Sequence, residues 1–236
     1  VKAEMTAGLR SGMFRFTYPK SEQAFIMIDM NHTLWQSCEW SNLRMENDST
    51  LTGYKLVKGW GPERHVYFTA VFSKKLKNLR FMQDKKPVIY NTSRFRSCYE
   101  AWGKNLMACI SFEAAEGEEI IVKTAVSAVS TAGATLNLQE LNGMTFDSLR
   151  EKGVSLWEQE LAKYQIEAEP EVKEAFYTAA YRAALHPFVF QDADRQFRGL
   201  DKNIEKAEGF TNYTVFSLWD TYRALHPWFN LVHQDI

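Results

Sequence analysis

The stretch Phe14-Arg15-Phe16-Thr17-Tyr18 places an aromatic ring at every second position. A strand turns successive side chains to opposite faces, so the three rings share one face, a core face, and the polar residues share the other. Working outward, residues 1 to about 140 read as strands. Tyr54 to Trp60 runs into the turn signal Gly59-Trp60-Gly61-Pro62, and the chain returns as His65-Val66-Tyr67-Phe68-Thr69-Ala70-Val71-Phe72, a hairpin. The return strand is apolar on both sides, which predicts a central strand covered on both faces. Further strands are expected at 106–112 and 120–130, separated by Gly117 and a run of glutamates that is hard to bury. This antiparallel meander chemistry is typical of a sandwich.

The period then changes. Leu149, Leu156, Trp157, Leu161 and Tyr164 form one stripe of an amphipathic helix, expected to link two domains. Glu167-Ala168-Glu169-Pro170 interrupts it, with Pro170 placed for the start of an Ala-rich helix from Val172 to Leu185. That helix ends in Tyr181-Arg182-Ala183-Ala184-Leu185-His186-Pro187. About forty residues later Tyr222-Arg223-Ala224-Leu225-His226-Pro227 reads as the end of a second helix. The two similar ends hint at a helical-hairpin repeat, a unit that needs several neighbours to bury its faces. The expected division is a β-sandwich over 1–142, a linker helix over 143–169 and the start of a helical domain over 170–236.

With 236 residues, 45% hydrophobic and 24% charged, the chain can bury a sizeable core and is neither a disulfide scaffold nor a disordered tract. It carries 28 Lys and Arg against 29 Asp and Glu, with no basic block, which argues against a nucleic-acid partner. Apolar stretches such as 25–30 fall far short of the ~20 residues of a membrane span, and no basic-then-apolar leader opens the sequence. The chain begins without Met and stops just after an apolar helical pattern, so it reads as a segment cut at both ends. Cys38, Cys98 and Cys109 lack metal-ligand spacing, and an odd number cannot all pair internally; they read as buried thiols. The aromatic content suits a large core and also sugar binding. Trp35, Trp40, Trp60 and Trp102 could face either.

Four blocks carry a family resemblance: Arg10-Ser11-Gly12-Met13-Phe14-Arg15-Phe16-Thr17-Tyr18-Pro19; Val126-Ser127-Ala128-Val129-Ser130 with Ala134-Thr135-Leu136-Asn137-Leu138; Phe176-Tyr177-Thr178-Ala179-Ala180-Tyr181; and Thr214-Val215-Phe216-Ser217-Leu218-Trp219-Asp220-Thr221-Tyr222-Arg223-Ala224-Leu225-His226-Pro227. In this order they resemble glycoside hydrolase family 92, calcium-dependent, inverting exo-α-mannosidases. The resemblance implies an N-terminal β-sandwich, a linker helix and a toroid of α/α hairpins, of which this chain would hold the later sandwich and the toroid's start. It implies mannose-containing glycans as partners, with terminal mannose, most often α-1,2 linked, removed by single displacement. It also implies that the catalytic acid, the base and the Ca²⁺ ligands lie outside this segment, in the remainder of the same polypeptide. A secreted or periplasmic location follows from the family's polymeric substrates alone. Two departures stand out: Arg195 occupies a position where the family commonly has glycine, and Tyr181-Arg182 replaces a Tyr-His pair.

The resemblance points to Trp219 and Asp220 as lining the terminal-mannose subsite, where a carboxylate can accept several charge-assisted hydrogen bonds from hydroxyls. The competing reading puts Trp219 in the core and Asp220 in a helix first turn. Phe197 and Arg198 are weaker substrate candidates. Asp192, Asp194 and Asp201 invite a calcium reading, but a loop starting at Asp192 lacks the glycine and glutamate that an EF-hand needs at Phe197 and Asn203, so a structural loop is expected. His186 and His226, each before proline, suit caps of helix C-termini. Asn31, Asn47, Asn91 and Asn212 head glycosylation sequons, relevant only in a eukaryotic secretory pathway. Two alternatives stay open: a non-catalytic carbohydrate-binding or structural sandwich protein, and another sandwich-plus-toroid glycosidase or phosphorylase.

Overall fold

The computed structural model describes residues 1–76, 78–88 and 99–234. The strands are β1 (Lys2–Ala7), β2 (Ser11–Tyr18), β3 (Ser21–Asp29), β4 (Ser37–Met45), β5 (Thr50–Lys58), β6 (Arg64–Phe72), β7 (Asn78–Gln83), β8 (Lys86–Pro87), β9 (Glu100–Gly103), β10 (Leu106–Ala114) and β11 (Glu118–Ser127). They form two antiparallel sheets, ordered β1-β2-β11-β6-β5-β4-β9 and β3-β10-β7-β8. After them come α1 (Thr131–Asn137), a 3₁₀ turn (Leu138–Leu141), α2 (Phe146–Leu161), α3 (Pro170–Ala183), the short ribbon β12 (Gln196–Arg198) and β13 (Ile204–Lys206), then α4 (Leu218–Thr221) and α5 (Leu225–Val232).

The core lies between the two sheets. Leu43, Leu51, Leu106, Ile110 and Ile120 are fully buried there, each worth about 1.5–3 kcal/mol against exposure. Tyr18 belongs to this core and Phe14 and Phe16 pack on it, as the alternation of β2 requires. The opposite face of β2 is also covered. Met13 packs with Leu141, Phe146 and Leu149 beneath the 3₁₀ turn and α2, and the Arg15 guanidinium lies 4.2 Å from the centre of the Phe146 ring. Arg15 also pairs with Glu4 at 2.9 Å and Asp147 at 3.1 Å. Its hydrogen bonds, with those of Lys2, hold the Glu4 carboxyl down at about 2. β6 is central, between β11 and β5, and its outer face meets α1, where the Thr69 and Thr135 hydroxyls are 2.8 Å apart.

The helical half corrects several expectations. Residues 131–141, taken with the strands in the sequence reading, form α1 and the 3₁₀ turn, and β11 stops at Ser127. The Ser127 hydroxyl accepts the Val129 and Ser130 N–H groups and turns the chain, and Ser130 then caps α1, its hydroxyl accepting the Gly133 N–H at 3.0 Å. α2 starts in a capping box made by Thr145 and Ser148. Its stripe runs through Phe146, Leu149 and Trp157, with the buried Tyr164 just past its end; Leu156 is exposed. The N-terminal half of α2 packs on the sandwich, while Trp157 meets Tyr181 of α3 at 4.5 Å between ring centres. The repeat does not survive. α4 is a single turn, and His226 and Pro227 lie in the first turn of α5, where proline costs no helical hydrogen bond, so that motif begins a helix. Cys38 is buried, Cys109 is only partly so, and Cys98 and the Asn91 sequon lie outside the described residues.

One buried polar node joins the halves. Asp192, 3% exposed, accepts hydrogen bonds from the Ser127 hydroxyl (2.6 Å) and the Asn137 amide (2.8 Å). The Asn137 amide also donates to the Val126 carbonyl, and its oxygen accepts from the Ala193 N–H. Arg10 adds a salt bridge to Glu140 at 2.6 Å and donates to the Gln191 carbonyl. A Cβ on Gly133 would stand 2.1 Å from Asp192 Oδ2 and 2.8 Å from Ser127 Oγ, so only glycine fits.

Gly133→Ala is therefore expected to lower stability by roughly 2–4 kcal/mol in urea titration, since it breaks a buried polar network. Gly153→Ala in α2, whose added Cβ would meet only the Ala7 carbonyl oxygen at 4.0 Å, should instead raise it by about 0.5–1 kcal/mol through helix propensity. Burial pushes the Asp192 carboxyl above its usual range. The folded state then holds that proton to higher pH than the unfolded state, so this group's contribution to stability falls as pH rises from about 3.8 through the raised value. The stability difference between the wild type and Asp192→Asn, followed by denaturant titration from pH 3 upward, should shrink in that window and then level off.

Candidate functional site

Phe216 anchors the chain between α3 and α5. Its ring sits 5.3 Å from His226, 6.2 Å from Phe229 and 6.4 Å from His186, between the end of α3 and the start of α5. Just after this anchor Ser217 opens α4. The Asp220 N–H donates to the Ser217 carbonyl at 3.1 Å, and the Thr221 hydroxyl bonds the same carbonyl at 3.2 Å. Phe216 and the buried Thr221 thus fix the turn from beneath. Trp219, 82% exposed, and the Asp220 carboxylate are displayed on its outer side. Leu218, Val215 and Tyr222 are exposed beside them, the last with Arg223 donating to its hydroxyl at 2.8 Å. Trp219 packs into no core formed by the described residues. Asp220 does occupy the first turn of a helix, but four residues give little dipole to favour it.

Phe197 and Arg198 sit in β12. Phe197 is buried, edge-on to Phe210 at 6.2 Å. The Arg198 guanidinium donates to the carbonyls of Ala128, Val129 and Lys202, tying the β12–β13 ribbon to the chain leaving β11. Both side chains are spent on holding the loop. Arg195 has φ +73, a left-handed conformation that glycine adopts freely, and its guanidinium reaches the Phe210 carbonyl at 3.0 Å. The loop keeps the backbone of a glycine position with arginine in it.

The aspartates do not form a calcium cage. Asp192 belongs to the buried node, Asp194 binds the backbone and side chain of Gln196, and Asp201 binds those of Asn203. Among the described residues no three His, Cys, Asp or Glu side chains are grouped to hold a metal. The capping reading of the histidines also needs correction. His186 is exposed and lies against Phe188, 4.2 Å between ring centres. His226 starts a helix, and its Nδ1 is buried without a hydrogen-bond partner, as is Nδ1 of His233, whose Nε2 lies 3.3 Å from Glu160.

The structure sorts the tryptophans. Trp157 and Trp228 pack within the helical half, Trp228 at 5.4 Å from Tyr164. Trp40 and Trp102 are half-exposed on the outer face of β4 and β9, and Trp35 and Trp60 stand on loops. The aromatic row Tyr54, His65 and Tyr67 on β5 and β6 went unnoticed in the sequence, although its alternation was there to read. The Tyr54 hydroxyl is 3.0 Å from His65 Nδ1, and burial, then the nearby Arg198, lowers the His65 pKa.

Residues 1–127 match the glycosyl hydrolase family 92 N-terminal domain, and residues 133–236 match the glycosyl hydrolase family 92 catalytic domain. Among solved structures, a family GH92 alpha-mannosidase from Bacteroides thetaiotaomicron is 80% identical, with a TM-score of 0.93 over 97% of this chain and 31% of that one. A structure of that enzyme with mannoimidazole matches at the same identity and TM-score. A family GH92 inverting mannosidase from Bacteroides thetaiotaomicron VPI-5482, at 21% identity and a TM-score of 0.81 over 95% of this chain and 30% of that one, shares the fold. Comparison with curated proteins returns no match. The chain spans about a third of the length of the solved relatives it matches. With the two domain matches abutting at the Ser127–Gly133 junction and four-fifths of residues shared with a solved relative, the chain belongs to glycosyl hydrolase family 92.

Proposed function

We propose that this chain is part of an exo-acting α-mannosidase that removes terminal α-linked mannose, α-1,2 linkages foremost, from glycans with inversion. The observation that carries the reading is the 80% identity, over 97% of the chain, to a family GH92 alpha-mannosidase. In this reading the chain supplies the later sandwich and the start of a helical toroid, divided near residues 142 and 170.

Trp219 and Asp220 are the substrate contacts. An exposed carboxylate on an anchored turn can accept hydrogen bonds from two adjacent hydroxyls of a sugar, and the indole beside it bounds the ring. Their display above Phe216 and Thr221 supports this role. Inversion needs a carboxylic acid to protonate the leaving oxygen and a carboxylate, about 6.5–9.5 Å away, to activate water on the opposite face. We place both in the polypeptide beyond this segment. The same holds for calcium: the aspartates here do not fit it, and its ligands, like the secreted or periplasmic location, belong to the proposal for the whole protein. Among the described residues no helix is long and apolar enough to cross a membrane.

The test is hydrolysis of α-1,2-mannobiose followed by NMR. The 236-residue chain alone should release no mannose. The chain extended to the length of its relatives should release it first as the β-anomer, and lose activity on calcium chelation. Trp219→Ala with Asp220→Ala in that longer protein should lower kcat/KM by about 100-fold, some 2.7 kcal/mol of transition-state stabilisation. Unchanged kcat/KM would remove the pair from the site, and an α-anomer product would remove inversion.

A further inference from the structure

The two most exposed indoles stand on loops that touch. Trp35 is fully exposed and Trp60 is 94% exposed. Trp35 lies in the loop after β3, and Trp60 lies in the β5–β6 hairpin turn. A Cβ on Gly59 would meet the Gln36 side chain at 2.5 Å, so the residues flanking the two indoles are in contact. Ser37 pairs with Lys58 at the base of both loops, and the Lys55 ammonium donates to the His32 carbonyl at 2.6 Å. Leu34 is exposed beside them. Together they make an aromatic crest at one end of the sandwich, on a framework that is held in place.

Trp35 also has φ +54. A bulky residue in the left-handed region is uncommon and costs free energy, and such outliers persist where the surroundings impose them, often at ligand contacts. Among the described residues this indole buries no surface, so packing within them does not account for its conformation.

We infer that Trp35 and Trp60 form a second carbohydrate contact, stacking on sugar units of a mannose-containing glycan apart from the Trp219 and Asp220 site; this rests on the α-mannosidase reading. Two observations support a sugar chain as the occupant. Three of the charged groups near the crest are engaged: Lys104 pairs with Glu39 at 3.2 Å, His65 Nε2 lies 3.6 Å from Glu63, and the Lys202 ammonium donates to the Glu63 carbonyl at 3.0 Å. What is presented is flat aromatic surface, complementary to the C–H faces of pyranoses. The last of those contacts is also the second observation, because it joins the hairpin carrying Trp60 to the 199–202 turn of the catalytic-domain portion. The crest is continuous with the interface between the two domain portions, so a glycan chain extending from that portion can run onto it.

The experiment is calorimetric titration of the 236-residue chain with α-1,2-linked mannotetraose, alongside size-exclusion chromatography. Trp35→Ala with Trp60→Ala should weaken binding at least ten-fold, while Trp35→Phe with Trp60→Phe stays within about three-fold. The same ten-fold loss should appear when the crest alanines are made on a Trp219→Ala, Asp220→Ala background, as separate contacts require. Both crest indoles are exposed, so the variants should melt with the wild type. Equal affinity in the alanine variant overturns the inference, as does absence of binding to the wild type. So does a concentration-dependent dimer dissolved by the alanine variant, which would make the crest a self-association surface. The hydrolysis experiment on the longer protein decides separately whether the mannosidase reading stands.

Discussion

The buried Asp192 carboxylate is the constraint on which the arrangement of the two halves depends. A carboxylate removed from water is costly unless each oxygen finds a donor. Here one oxygen takes the Ser127 hydroxyl and the other the Asn137 amide, so the end of β11 and the end of α1 must come to one point. The same Ser127 oxygen accepts the N–H groups of Val129 and Ser130, which turns the chain out of the sheet. Ser130 then caps α1, and Gly133 leaves the volume that the carboxylate occupies. Each partner is used more than once, so removing one strands several others. This explains why a position with no apolar side chain is expected to be as sensitive as a core leucine.

Polar contacts set the direction of the second half, and aromatic area holds it. Arg198 fixes the β12–β13 ribbon through three carbonyls, and Arg10 bridges Glu140 and Gln191. Beyond the ribbon the contacts become rings: Tyr164 on Phe176 and Trp228, Phe216 on His226 and Phe229. No residue of α5 is fully buried. Aromatic pairs add about 0.5–1.5 kcal/mol each beyond area burial, which suits elements that pack on one side only. Glu160 Oε1 and the Nδ1 atoms of His226 and His233, buried without hydrogen bonds, lie on α2, on α5 and at the residue that ends α5.

The sandwich was legible because its strands announce themselves by period. Phe14, Phe16 and Tyr18 had to share a face, and they do. The other face of β2 was misread as a polar face because Arg15 counts as polar in any alternation scheme, yet its guanidinium covers Phe146 while its charge is met by Glu4 and Asp147. α1 was missed because Thr131 to Asn137 has neither the length nor the stripe of an amphipathic helix; its cap at Ser130 was the only local sign. The false repeat has a similar origin. Tyr-Arg-Ala before Leu-His-Pro fits a helix end when Pro is read as a terminator, but Pro is equally at home in a first turn, and only the packing of Phe216 beneath His226 selects the second. The Asp192 node was illegible for a different reason: Ser, Asn and Asp residues separated by up to 65 positions show no pattern until the chain is folded.

The tryptophans show how far residue type alone can carry a functional reading. Trp157 and Trp228 lie in helices long enough to offer a facing neighbour, and they pack. Trp35, Trp60 and Trp219 lie on loops or on a helix of one turn, where no element among the described residues faces them. Display is not disorder in these three cases. Trp219 rides on a turn pinned by Phe216 and Thr221, Trp60 follows a glycine pressed against Gln36, and Trp35 sits between Thr33 and Gln36, which are hydrogen-bonded to each other. A large ring held in water by a fixed backbone loses the burial it could have had and keeps its orientation. That combination lowers the entropy lost when a flat ligand settles on the ring, and it separates these indoles from surface aromatics left exposed for want of polar alternatives.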